Sequence, residues 1–365
     1  MRAFEPDYRN LVDAARNRPA ARLPLYEHAV DYRHMEAVLG VPVLSLLGGA
    51  LEERREFHRR CAAFFLDMGY DAIPFERGIC SVVQDSACLS GRAPGIVATR
   101  ADLARIDVEH LADRYFTAWD DDFDLLADSL PRGMKAVGGV GNGVFEVAQD
   151  FCGYAQLCLI REDDPGLYAA IFRMVGNLME TIWDRFLRKH AEHFAVLRFG
   201  DDLGYKASTM LSPADIREHL LPPYRRVVDL VHARGTPFLL HSCGNIFSVM
   251  DDLIETVGID AKHSNEDEIA PFSEWVQRYG ERIGNFGGID MGNLCRLPPE
   301  LVERRVRQII EQVEGKGGIA ISSGNSIPDY VPTANYLAMI RAVRMHRGEH
   351  LAHGLAPWPA GAKES

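Results

Sequence analysis

The sequence predicts an α/β fold: a single (β/α)8 TIM barrel with an N-terminal helical extension and insertions at its C-terminal face. Three observations predict it. Short apolar runs alternate with long amphipathic segments, the rhythm of parallel strands joined by right-handed helical crossovers. There are eight such runs in 365 residues, and about 46 residues per unit leaves room for a barrel with insertions. No G-x-G-x-x-G follows the first run, which disfavours an open doubly wound sheet, the next best architecture.

Taken in order, residues 1–22 carry charges throughout and have no apolar stretch. They read as a helical extension and not as a signal peptide. The expected strands are 23–28 (LPLYEH), 72–76 (AIPFE), 134–140 (MKAVGGV), 195–202 (AVLRFGDD), 236–244 (TPFLLHSCG), 258–263 (GIDAKH), 282–290 (RIGNFGGID) and 318–325 (GIAISSGN). Residues 77–132 hold either a further strand at 95–99 (GIVAT) or a long insertion over the barrel mouth. The stretch 145–193 reads as helical, with two helices broken near 163–166 (DDPG). Another helix starts at Pro213, with Ser212 as N-cap, proline at the first helical position and Gly235 as C-cap. A further helix is expected within 298–318. The barrel spans 23–348, and 349–365 is a tail, either packed or disordered.

Composition narrows the function. Apolar residues make up 47% and charged residues 25%, ordinary values for a globular protein. Forty Lys and Arg against 52 Asp and Glu give a net charge of −12. That charge disfavours a nucleic-acid partner, which needs a basic face, and anionic membrane surfaces. No apolar window is long enough for a membrane span. Seven irregularly spaced cysteines read as reduced thiols in a cytoplasmic protein. P-loop, H-E-x-x-H and G-x-S-x-G patterns are absent, which disfavours nucleotide hydrolysis, zincin-type proteolysis and α/β-hydrolase chemistry.

Barrel active sites lie at the C-terminal ends of the strands. Those ends carry Glu27, His28, Glu76, Asn142, Asp201, Asp202, His241, Cys243, His263, Asp290 and Asn325, with Ser326 and Asp329 just beyond. The sharpest local pattern is His241-Ser242-Cys243-Gly244. On a strand, residues two apart share a face, so an imidazole and a thiolate can chelate one metal ion, for which zinc is the usual choice. The bland alternative is a buried thiol beside a loop-capping histidine. A catalytic zinc needs a third ligand and an open position. Asp202 is the favoured third ligand, with Asp201, His263 and Glu76 as the other candidates. Cys61, Cys80, Cys88, Cys152, Cys158 and Cys295 lack such neighbours and read as packing residues.

The C-terminal two thirds resemble the uroporphyrinogen decarboxylase superfamily through 200–245, 280–290 and 319–336; the N-terminal third does so more loosely through 23–27 and 69–76. The resemblance implies a TIM barrel. True decarboxylases carry an N-terminal R-Q-A-G-R-Y, where this chain reads RPAARLP at 18–24. Their aspartate, tyrosine, serine and histidine fall at or near Gly78, Asp150, Asp202 and Gly324. The resemblance is closer to the cobalamin-dependent methyltransferase branch, whose zinc ligands are H-x-C and a distant cysteine. His241 and Cys243 match the first two, and the third falls at Asn325.

The expected activity is therefore zinc-dependent methyl transfer between a small methylated substrate and a corrinoid on a partner protein. His241, Cys243 and Asp202 hold the metal. Asp201, Asp202, Glu76 and His263 are the catalytic acid–base groups, and Glu27, His28, Asn142, Asp290, Asn325, Ser326 and Asp329 contact substrate. The alternatives are a carboxy-lyase acting on a carboxylated substrate and a non-catalytic small-molecule binder. The family resemblance also implies a homodimer.

Overall fold

The computed structural model describes residues 4–83 and 95–349. Cys88 and the apolar stretch 351–361 of the tail lie outside the described residues. The strands are β1 (Ala72–Gly78), β2 (Lys135–Gly141), β3 (Phe194–Gly200), β4 (Phe238–His241), β5 (Ala261–His263), β6 (Gly284–Ile289) and β7 (Ile319–Ser323). They form one seven-stranded sheet in sequential order. The printed registers are parallel, with Leu197 opposite Phe238 on β3 and β4, and Asn285 opposite Ile319 on β6 and β7. Helices fill the connections, so the chain has the alternating α/β architecture of a TIM-like barrel.

The first expected strand is not one. Leu25 makes an isolated parallel bridge with Ile321. The Tyr26 amide donates to the Ile321 carbonyl at 2.9 Å and the Ile321 amide to the Pro24 carbonyl at 3.0 Å. Pro24 has no N–H to extend the ladder. Residues 95–99 hold no strand either. Instead, the Ile96 and Val97 amides both bond the Phe151 carbonyl, and Thr99 caps the short helix Arg100–Leu103.

The chain divides into two compact units. One comprises residues 4–74, 125–136 and 263–349. Here the N-terminal helix Arg9–Ala15 seals the starts of β6 and β7. Asn17 Oδ1 accepts the Gly318 amide at 2.7 Å, and a Cβ on Gly284 would lie 2.3 Å from the Ala14 carbonyl oxygen. Phe64, Phe65, Tyr70 and Tyr336 form its aromatic core.

The other unit comprises residues 75–124 and 137–262. Its core is Phe123, Trp183, Phe186, Phe199 and Phe238, packed edge to face. Three helices occupy the stretch expected to hold two: Val144–Cys152, Tyr154–Asp163 and Pro165–His190. The expected break is at Asp164, whose side chain caps the third helix. The additional break is at Gly153, at φ 80° and ψ 142°. The helix expected from Pro213 is divided by a π-helical turn at Ile216–Leu220 before Leu221–His232. Pro222 and Pro223 cannot donate to carbonyls four residues back, and their rings would crowd them; a wider turn relieves both problems. Ser212 caps the start, accepting the Asp215 amide at 3.1 Å; the C-cap is Ala233, and the expected cap Gly235 lies two residues on, turning the chain at φ 70°.

Gly138 on β2 has φ 137°, and a Cβ there would lie 2.2 Å from the Phe75 carbonyl oxygen of β1. Gly138→Ala is expected to lower unfolding stability by about 2 kcal/mol through overpacking and backbone strain. A urea denaturation midpoint equal to the parent's would refute this account of the β1–β2 approach.

Candidate metal and acid–base site

The end of β3 delivers two carboxylates with different fates. Asp201 is buried, and its oxygens accept the Phe145 and Glu146 amides at 2.8 Å each. The Tyr224 hydroxyl donates to it as well. Asp201 thus caps the helix Val144–Cys152 from outside. The helix's own preceding residue, Gly143, has no side chain to do so, and a Cβ there would lie 2.2 Å from Asp201 Cβ. Burial pushes the Asp201 carboxyl up to about 7, against these hydrogen bonds, which favour the charged form.

Asp202 is half-buried, and its Oδ1 accepts the Cys243 amide at 3.0 Å. The same atom lies 3.9 Å from His241 Nε2, and Cys243 Sγ lies 3.6 Å from that nitrogen. β4 ends at His241, so Cys243 is beyond the strand, contrary to the expected two-residue strand repeat. It meets His241 because the loop turns at Gly244, at φ 79°. The three donor atoms all lie within 4.8 Å of one another. Donors on one tetrahedral zinc lie about 3.3–3.8 Å apart, given bonds of about 2.0–2.3 Å. One thiol, one imidazole and one carboxylate at these separations fit such an ion.

Nearby in the same unit, Glu76 Oε2 accepts Arg198 Nη2 at 2.6 Å. Arg198 is fully buried on β3, so its charge is offset by the carboxylate. Asn142 adopts φ 66°; its Oδ1 accepts the Cys80 amide at 3.2 Å and its Nδ2 donates to Glu146 Oε2 at 2.9 Å. Desolvation first, then the charge of Asp201, holds the Glu146 carboxyl well above the usual carboxylate range.

The other expected site residues belong to the other unit. His263 is buried, with Nε2 at 3.2 Å from the Ser323 carbonyl. Its ring stacks on His28 at 6.1 Å and meets Tyr26 edge-on at 5.0 Å. Glu27 accepts both the amide and the hydroxyl of Ser323, at 2.9 and 2.6 Å. Asp290 caps the short helix Met291–Arg296 and also accepts the Asp267 amide at 3.0 Å. Asn325 Oδ1 accepts the Ser326 hydroxyl at 3.4 Å. Asp329 pairs with Arg33 at the surface.

The sequence reading missed Glu146, Arg198, Tyr224 and Ser323. Arg198 had left a signal, a lone charge inside an apolar strand run. Glu146 and Tyr224 sit on helices whose faces become visible only once packed.

The family model for uroporphyrinogen decarboxylase (URO-D) matches residues 96–346. The chain belongs to the uroporphyrinogen decarboxylase family. Uroporphyrinogen decarboxylase of Sorangium cellulosum (strain So ce56) is 26% identical over 184 residues, 49% of this chain and 48% of that protein. The enzyme of Geobacter sp. (strain M21) is 22% identical over 195 residues, 52% of each. The chain thus spans about half the length of the curated relatives it matches. Among solved structures, a methyltransferase from Methanosarcina mazei superposes with TM-score 0.68 at 14% identity. That match covers 94% of this chain and all of the neighbour, and it shows that this URO-D family member has that fold. No helix among the described residues is long and apolar enough to cross a membrane.

Burial pushes the Glu27 carboxyl up to about 8. The folded state therefore keeps a proton that the unfolded chain loses near its ordinary value, so this group's contribution to stability falls as pH rises from about 4.5 to about 8. Glu27→Gln is expected to flatten that decline in denaturation midpoints measured from about pH 5 to about pH 9. An unchanged slope would count against a protonated Glu27.

Proposed function

We propose that this URO-D family member is a zinc-dependent methyltransferase, moving a methyl group between a small O- or N-methylated substrate and a corrinoid carried by a partner protein. The observation that carries the reading is the convergence of Asp202 Oδ1, His241 Nε2 and Cys243 Sγ. Asp202 supplies the third donor that Asn325 does not. Zinc bound there would supply Lewis acidity towards the heteroatom bearing the methyl group. The fold shared with a methyltransferase supports the same class.

The chain's own groups divide the remaining work. Asp201 orients the helix Val144–Cys152 and, with it, Glu146. Glu146, kept protonated by burial and by Asp201, serves as proton donor to the leaving heteroatom. Asn142 fixes one Glu146 oxygen and leaves the other for that transfer. Glu76 and Arg198 form a neutral pair, so this wall offers no net cation for a polycarboxylate.

A second reading, a carboxy-lyase, draws on the names of the curated relatives. Protein purified without added metal is expected to carry about one equivalent of zinc, and His241→Ala or Cys243→Ala to lose most of it. The parent is expected to methylate free cob(I)alamin from a panel of O- and N-methyl donors. Less than about a tenth of an equivalent, with unchanged activity in both variants, would overturn the metal reading. Carbon dioxide release without any corrinoid would replace methyl transfer with the lyase reading.

A further inference from the structure

Asp202 and Cys243 sit on two different loops, and neither position is fixed by a strand. A backbone contact between those loops sets their spacing. After Asp202 the chain makes a tight hairpin: Gly204 bridges Thr209, the Tyr205 amide bonds the Ser208 carbonyl at 2.8 Å, and the Met210 amide bonds the Leu203 carbonyl at 2.7 Å. The loop after β4 lies directly on it. The Asn245 amide donates to the Tyr205 carbonyl at 2.7 Å, and Ser242 Oγ accepts the Leu203 amide at 3.2 Å.

Two glycines make this approach available. A Cβ on Gly204 would lie 2.7 Å from the Asn245 nitrogen, 2.8 Å from the Gly244 carbonyl carbon and 2.9 Å from the Cys243 oxygen. A Cβ on Gly244 would lie 2.1 Å from the Gly204 carbonyl carbon and 2.6 Å from the Tyr205 nitrogen. These obstacles are backbone atoms, so a side chain on either residue forces the loops apart. Each residue lies beside a donor: Gly244 follows Cys243, and Gly204 is two residues after Asp202.

We infer that Gly204 and Gly244 are positioning residues for the candidate metal site, clasping the Asp202 and Cys243 loops at the spacing one ion requires. The inference rests on the proposed metal site and assigns it a geometric control that lies outside the donor set. Supports of this kind are typically worth about 10–100-fold in metal affinity. Separating the loops also breaks the Cys243 amide bond to Asp202, so the thiolate and carboxylate are lost to the ion together.

Cobalt(II) is the probe, because thiolate ligation gives it a charge-transfer band that a change in stability alone does not move. The parent protein is expected to show that band on titration. Gly204→Ala is expected to weaken cobalt binding at least about tenfold and to diminish the band. Gly235→Ala serves as the control. It adds left-handed backbone strain, at φ 70°, that Gly204→Ala does not, with nothing within 4 Å of its Cβ, and should still bind cobalt as the parent does. Gly204→Ala binding within about twofold of the parent, with the same spectrum, would overturn the clasp. A parent protein without the band would overturn the metal reading itself, so the two failures are distinguishable. Should Gly204→Ala not fold, hydrogen exchange on the parent decides: cobalt is expected to slow exchange of the Asn245 amide, and an unchanged rate overturns the clasp.

Discussion

One buried carboxylate organises the unit that holds the candidate site. Asp201 receives two amides at the start of the helix Val144–Cys152 and the hydroxyl of Tyr224 from the helix Leu221–His232. It therefore joins the end of β3 to two helices at one point. A carboxylate taken from water is tolerable only when its lone pairs are met, and here helix amides and a phenol meet them. The arrangement requires glycine at 143, because any Cβ would occupy the space of Asp201. The direction of Asp202, one residue on, follows from that anchor.

Asp201 also acts on the titration of a neighbouring carboxyl. Glu146 lies on the very helix Asp201 caps, and desolvation first, then the charge of Asp201, pushes its carboxyl up. Glu76 is offset by a fully buried arginine, Arg198, two strands away on β3. In the other unit, Glu27 illustrates the same physics: two hydrogen bonds from Ser323 favour its charge, and complete burial outweighs them.

Of Asp202, His241 and Cys243, only His241 is on a strand. Asp202 and Cys243 are loop residues, held by a backbone amide on the carboxylate and by glycine-mediated contact between the loops. Such a site combines a rigid imidazole with two donors whose spacing depends on loop packing.

Strand rhythm, glycine and proline punctuation and the N-capping residue are local properties, and the sequence determined them: seven of eight expected strands, the Ser212 cap, and the pattern H-x-C. The family was legible there too, because its motifs are contiguous. What only the tertiary structure decided depends on contacts distant in sequence. Residues 23–28 make one bridge because a proline interrupts the ladder. Pro222 and Pro223 widen a helix whose periodicity looked unbroken. Adjacent aspartates look alike in sequence. One becomes a buried helix anchor and the other a half-buried donor, because Gly143 leaves room for the first and the loop after β4 presents an amide to the second.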